Sequence, residues 1–197
     1  MEFVVGTQNI LPKNLLSRMA DFRYRVFVDM LGWKLPCEVG RELDQFDRDD
    51  TLYVMALRDG EMTGMARLLP TQRPYLLAEV FPQLMGEEAL PSDASVWELS
   101  RFSAVDTALS GVGAQRQFSS PLAVALMQCV LVHAAQRGVR SLITVSPMGV
   151  ERLLRRSGFC VRRAAAPVRV GGHLLFACWI EVPVIACGSG QPVLPYS

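Results

Sequence analysis

Apolar residues at Leu15, Leu16, Met19, Phe22, Val26, Phe27, Met30 and Leu31 recur every three or four positions, the spacing of one face of a helix, and Gly32 closes the run. From 33 to 50 that periodicity stops and polar and charged residues cluster as a loop. Thr51 to Leu57 and Met62 to Leu69 then read as strands. Between them stands Arg58-Asp59-Gly60-Glu61, whose Asp-Gly pair suits a tight hairpin turn. The pattern predicts a short helix over Ala78 to Met85 and a strand over Val96 to Val105.

Ser119-Ser120-Pro121 offers an N-cap and a first-turn proline to a long apolar helix that stops at Gly138. Ser141 to Ser146 reads as a buried strand, and Gly149 to Arg156 as a short basic helix stopped by Gly158. Phe159 to Arg163 and Leu174 to Val182 are further strands. Glycine and proline make 183–197 a loose tail, leaving 1–182 as the domain. No internal repeat or low-complexity segment interrupts it. A helix, a hairpin, then strand, helix, strand, helix and strands predict a mixed sheet with helices on both faces.

At 197 residues the chain is long enough for one domain that buries both a core and a ligand cavity. Half of it, 50%, is hydrophobic, yet charges break every apolar run before membrane-spanning length, so the excess points to a core plus an apolar pocket. Met1-Glu2-Phe3-Val4-Val5 has no basic stretch ahead of a long apolar segment. The reading is therefore a cytoplasmic enzyme without a secretory signal and without a membrane partner. Cys37, Cys129, Cys160, Cys178 and Cys187 are odd in number and lack C-x-x-C spacing, and His133 and His173 are the only histidines. Neither a disulfide framework nor a metal site is expected.

Net charge is +1 but unevenly placed: six acids lie between Glu38 and Asp50, and eight arginines between Arg137 and Arg169 face Glu151 alone. The second stretch suits an acidic docking partner or is a solvated face. No nucleic-acid motif accompanies it.

Candidate chemistry gathers in the first half. Arg23 and Phe27 stand four apart and share a helix face, Trp33 follows the helix end, and Asp44 and Asp47 sit in the acidic loop. An arginine binds a carboxylate, carboxylates bind a cationic amine, and aromatic faces tolerate a sulfonium. Singly, each has a plainer reading as a snorkelling arginine, a core tryptophan or solvated loop acids. Arg67 falls on a hairpin strand, and Glu98 and Arg101 on the next strand. Their odd separation sends them to opposite faces unless a bulge intervenes near Leu99 or Ser100.

These residues, with the run Trp97-Glu98-Leu99-Ser100-Arg101-Phe102, resemble the acyl-homoserine-lactone synthases of the LuxI type over nearly the whole chain. The resemblance implies a single-domain α-β-α sandwich with a mixed, mostly antiparallel sheet, similar to GNAT-type N-acyltransferases. It implies a quorum-sensing enzyme that acylates the amine of S-adenosylmethionine from acyl carrier protein. The product then lactonises and releases methylthioadenosine, with S-adenosylmethionine as a substrate and no cofactor. Carried over residue by residue, Arg23, Phe27, Trp33, Asp44, Asp47, Arg67, Arg101 and Phe102 bind S-adenosylmethionine, and Glu98, Asp47 and Arg101 are the catalytic set, with Glu98 first choice as base. Leu99, Phe102, Leu122, Met127, Thr144, Ser146 and Met148 line the slot for a medium-length acyl chain. Thr144 stands where a threonine goes with 3-oxo chains. Arg137, Arg140, Arg152, Arg155 and Arg156 dock acyl carrier protein. The alternative is a GNAT-type acetyltransferase using acetyl-CoA, but its pyrophosphate loop is incomplete here: Gly111-Val112-Gly113 follows Ala108 instead of an arginine or glutamine.

Overall fold

The computed structural model describes residues 1–105 and 121–184. The Ser119-Ser120 cap, the Gly111-Val112-Gly113 stretch, Cys187 and nearly all of the expected tail lie outside the described residues. The chain divides into two compact units, Met1–Leu69 with Ser100–Leu126, and Pro70–Leu99 with Met127–Ser197.

In the first unit, strand β1 (Glu2–Thr7) pairs antiparallel with β2 (Leu52–Arg58), which pairs antiparallel with β3 (Glu61–Pro70). The first strand is an addition to the sequence reading, which saw no element before the helix. Asp59 and Gly60 take φ of 52° and 82°, the left-handed pair that a two-residue hairpin turn demands. Gly64 is required by a close approach: a Cβ there would sit 3.1 Å from the Ser103 carbonyl oxygen.

The first helix starts as α1 (Lys13–Arg23) and widens into a π-helical stretch (Tyr24–Met30), so the single helix read from the periodicity changes type at its middle. Its apolar stripe does face the core. Leu15, Met19, Phe22, Val26 and Phe27 pack with Tyr53, Met55, Met62 and Met65 of the hairpin. Gly32, at φ 69°, ends it, and the Trp33 N–H closes back on the Phe27 carbonyl at 2.9 Å.

In the second unit, α2 (Leu76–Val80) and a 3₁₀ turn (Pro82–Met85) replace the one short helix expected. Strand β4 (Val96–Ala104) begins in this unit and ends in the first. Its first residues pair parallel with β5 (Ser141–Pro147), and β5 pairs antiparallel with β8 (His173–Glu181). β6 (Val161–Arg163) and β7 (Val168–Val170) both pair antiparallel with β8. Helix α3 (Pro121–Ala135) precedes β5, and α4 (Val150–Arg156) follows it. The sheet is mixed and mostly antiparallel, as expected, with β7, like β1, a strand the pattern did not reveal. No helix among the described residues is long and apolar enough to cross a membrane.

Candidate functional site

The first unit holds a ring of alternating charges. Arg23, on the last turn of α1, is fully buried; Nε donates to Glu42 Oε2 at 2.5 Å and Nη1 to Asp47 Oδ1 at 2.7 Å. Arg101 donates from Nη2 to Glu42 Oε1 and to Asp44 Oδ2, both at 2.8 Å. Arg67, on β3, donates from Nη1 to Asp44 Oδ1 at 2.6 Å and from Nε to the Ser100 hydroxyl at 3.0 Å. The Tyr53 hydroxyl donates to Asp47 Oδ1 at 2.8 Å. Three arginines and three carboxylates thus balance in formal charge, as buried ions must to offset desolvation.

The loop is shaped to present these acids. Asp44 accepts the Phe46 N–H at 2.9 Å, and Asp47 accepts the Asp44 N–H at 2.8 Å, so each carboxylate is fixed by its own backbone as well as by arginines. Burial alone would lower the Arg23 pKa, but Asp47 and Glu42 outweigh it and raise it above the ordinary arginine value. Burial would likewise raise Glu42 and Asp47. Arg101 and Arg23 hold Glu42 below the usual carboxylate range, and Arg23 and Arg67 hold Asp47 well below it.

Two guanidinium nitrogens of the ring, Arg23 Nη2 and Arg67 Nη2, are buried without a hydrogen-bond partner. Arg23 Nη2 lies 3.9 Å from Asp44 Oδ2, an ion pair too long for a hydrogen bond. Such donors suit an incoming anionic group. Aromatic faces flank the ring: Trp33 stacks on Phe27 with centroids 4.9 Å apart, and Arg101 lies 5.6 Å above the Phe27 ring. Trp33 is 42% exposed, so it is a platform open to solvent and not a core residue. In the same unit, Pro36, Cys37, Glu38, Arg41 and Leu43 line a cleft of about 670 Å³, large enough for a small molecule. Glu42 sits between two of them in sequence.

Arg23, Phe27, Trp33, Asp44, Asp47, Arg67 and Arg101 are therefore brought together. Phe102 is buried on the same unit. The sequence reading left out Glu42 and Tyr53. Glu42 was one of several loop acids, and its place between Arg23 and Arg101 depends on tertiary structure. The irregularity expected near Leu99 or Ser100 falls one residue on: Arg101 takes φ 51° inside β4. A non-glycine in that region costs about 1–2 kcal/mol, a strain found mostly where function requires it.

Glu98 belongs to the second unit. It is fully buried, and its two oxygens accept the N–H groups of Leu76 at 2.9 Å and Leu77 at 2.6 Å, the first residues of α2. The residues expected to line the acyl slot divide between the units. Leu99, Leu122, Met127, Thr144 and Ser146 are buried, Phe102 is 9% exposed and Met148 41% exposed. Arg137, Arg140, Arg152, Arg155 and Arg156 are all exposed, on the second unit. Arg155 pairs with Glu151 at 3.0 Å, and Arg140 Nη2 donates to the Ser95 hydroxyl at 3.0 Å. The described residues contain no cluster of His, Cys, Asp and Glu fit for a metal ion.

Comparison with known proteins matches residues 7–184 to the autoinducer synthase family model. An acyl-homoserine-lactone synthase of Acinetobacter nosocomialis is 48% identical over 92% of this chain and 100% of its own length. Among solved structures, TofI in a ternary complex with an inhibitor and MTA has TM-score 0.78 at 43% identity, covering 92% of each chain. BjaI, a CoA-dependent acyl-homoserine lactone synthase solved with SAM and isopentyl-CoA, has TM-score 0.77 at 26% identity, covering 90% of this chain and 82% of its own. An acyl-CoA N-acyltransferase from Pseudomonas aeruginosa, at 17% identity and TM-score 0.63, covering 91% of this chain and 98% of its own, shares the fold alone.

Proposed function

We propose, from the premise that this chain belongs to the autoinducer synthase family and is an acyl-homoserine-lactone synthase, that the charged ring of its first unit receives S-adenosylmethionine and that the acyl chain arrives on acyl carrier protein. The observation that carries the first part is the pair of buried, unpartnered nitrogens on Arg23 and Arg67, set among three carboxylates and beside the Phe27–Trp33 stack. Those nitrogens offer charge-assisted bonds to the substrate carboxylate. Asp44, whose side chain is the most exposed of the three acids at 12%, takes the ammonium, and the aromatic pair tolerates the sulfonium. The nucleoside end lies in the cleft bounded by Pro36 and Leu43.

In the reaction so read, the substrate amine loses its proton and attacks the acyl thioester, forming the amide and expelling the carrier thiol. The substrate carboxylate then displaces the sulfonium, closing the lactone and releasing methylthioadenosine. Holding the substrate curled brings carboxylate and γ-carbon together, and such proximity lowers the second barrier without a further catalyst. Glu98 takes the amine proton, Arg101 orients the substrate, and Asp47 keeps the ring in shape. Thr144 and Ser146, two apart on β5 and so on one face, read the acyl chain.

Exposed arginines on α4 and after α3 support the carrier protein as donor. Arg152 and Arg156 make no ion pair among the described residues and are free to meet acids. BjaI is CoA-dependent, so the donor is the point to test. Purified protein is incubated with labelled S-adenosylmethionine and a matched pair, one acyl chain on acyl carrier protein and on coenzyme A. Lactone formed chiefly from the carrier supports the reading. Lactone only from coenzyme A overturns the donor, and an acylated amine without lactone overturns the reaction. A cytoplasmic location goes with this proposal, since both substrates are made there.

A further inference from the structure

Tyr53 belongs to the ring although nothing in its own sequence setting marks it. It is fully buried, and its hydroxyl donates to Asp47 Oδ1 at 2.8 Å. The antiparallel register of β2 and β3 sets Tyr53 directly opposite Arg67, so both side chains leave one face of the hairpin and reach the same oxygen. Arg67 Nη1 is 3.2 Å from Asp47 Oδ1 and Arg23 Nη1 is 2.7 Å from it. Burial, and then the charge of Asp47, raise the Tyr53 phenol well above its ordinary value, so it stays a donor.

The three partners of that oxygen differ in kind: Arg23 and Tyr53 donate hydrogen bonds to it, and Arg67 meets it as an ion pair. Arg67 Nη1 already divides itself between Asp47 and Asp44, which it meets at 2.6 Å, and Arg23 divides itself between Asp47 and Glu42. An anion entering the ring competes for both arginines. The phenol is neutral and carries one donor, committed to Asp47. We propose that Tyr53 is a positioning residue of the S-adenosylmethionine site, its hydroxyl holding Asp47 in place when the substrate's charged groups draw Arg23 and Arg67 away. The proposal rests on the reading of the ring as that site.

The test is a double-mutant cycle on the full chain: wild type, Tyr53→Phe, Asp47→Asn and both together, with S-adenosylmethionine affinity read by calorimetry and the acyl-donor KM by turnover. Tyr53→Phe keeps the ring packing. It should weaken S-adenosylmethionine about tenfold, the scale of a hydrogen bond to a charged group, and leave the acyl-donor KM unchanged. In the Asp47→Asn background the same change should have no effect, because Tyr53 acts through that carboxylate. Tyr53→Phe should also move upward the pH below which affinity is lost, since Asp47 gives up a donor that favours its charged form. An equal loss in both backgrounds, no loss in either, or a Tyr53→Phe chain that does not fold makes the hydroxyl merely structural and overturns the proposal. Wild type that binds no S-adenosylmethionine fails the ring reading itself, a result distinct from wild type that binds while Tyr53→Phe binds equally well.

Discussion

Arg101 grips Glu42 through Nε at 3.1 Å and Nη2 at 2.8 Å while its own backbone is held left-handed at φ 51°. The strain and the grip belong together. A regular strand would send Ser100 and Arg101 to opposite faces, yet Ser100 accepts from Arg67 and Arg101 donates to Asp44, so both reach the ring. Glu42 in turn is only 1% exposed and joins Arg101 to Arg23, which makes it the carboxylate on which two buried cations depend.

Glu42→Gln should therefore be among the most damaging changes outside the apolar core. It keeps the shape but leaves Arg23 and Arg101 without their common counter-charge, a loss of about 3–5 kcal/mol for a broken buried pair. Denaturant unfolding measures it. A cost under about 1 kcal/mol would mean the ring relaxes around the missing charge.

The same acids set a pH limit. Glu42 and Asp47 are held below their unfolded values by Arg101, Arg23 and Arg67. A lowered carboxylate pKa contributes stability that is fully present above the unfolded value, about 4, and is lost as pH falls toward the folded one. The melting temperature should be flat from neutral pH to about pH 5 and fall steeply below it. Asp47→Asn should flatten that fall, and an unchanged acid limb would shift its cause elsewhere.

Much of this ring was legible in the sequence through the family resemblance, which singled out Arg23, Phe27, Asp44, Asp47, Arg67 and Arg101 together; local pattern alone set only Arg23 and Phe27 on one helix face. Tyr53 was not legible. Counting outward from the Asp59–Gly60 turn without interruption sets Tyr53 opposite Ala66. A bulge between Ala56 and Leu57 shifts the register by one and turns it to Arg67. No periodicity announces such a bulge. Strands β1 and β7 escaped for other reasons: β1 lacks clean alternation and β7 alternates over only three residues, so pairing with β2 or β8 defines each more than its own residues do.

Glu98 carries a prediction in each of two roles. Its oxygens satisfy the Leu76 and Leu77 N–H groups, for which the N-cap residue Tyr75 supplies no side-chain acceptor. Glu98→Gln should speed amide exchange at those two positions, since an amide NH₂ then faces an N–H. In the proposed role of acceptor of the amine proton, its loss should also cut turnover by about 10²–10⁴ and abolish the acid limb of the kcat/KM profile. Faster exchange with the acid limb intact would leave the residue as the cap of α2 alone.

The basic surface separates steering from structure. Arg155 is engaged with Glu151, so on α4 the exposed arginines without an ion pair among the described residues are Arg152 and Arg156. Reversing both to Glu should raise KM for an acyl chain on carrier protein severalfold, with a penalty that shrinks as salt rises, because exposed charges steer encounter and are screened. A small soluble acyl thioester should react as before. Equal losses on both donors would assign α4 a structural role.

Thr144 tests how far the acyl reading extends. Its side chain is nearly buried, and its described hydrogen bond, to the Val145 carbonyl, is 3.5 Å long, beyond the range in which such a bond is strong. A buried hydroxyl so weakly committed has a donor to offer a ligand. On β8 its register partner is Cys178, a buried thiol, and, two residues on, Ser146 pairs with Phe176, so the face carries two hydroxyls beside a buried thiol and a phenylalanine. One neutral hydrogen bond to a 3-oxo group contributes about 0.5–1.5 kcal/mol, enough to bias a choice of chain and too little to impose it. Thr144→Val, close in shape, should shift the ratio of 3-oxo to unsubstituted lactone by about tenfold or less in mass spectra of the products, with unsubstituted turnover unchanged. A variant whose products and rates match wild type on both chains would return Thr144 to the core, its hydroxyl spent on its own strand.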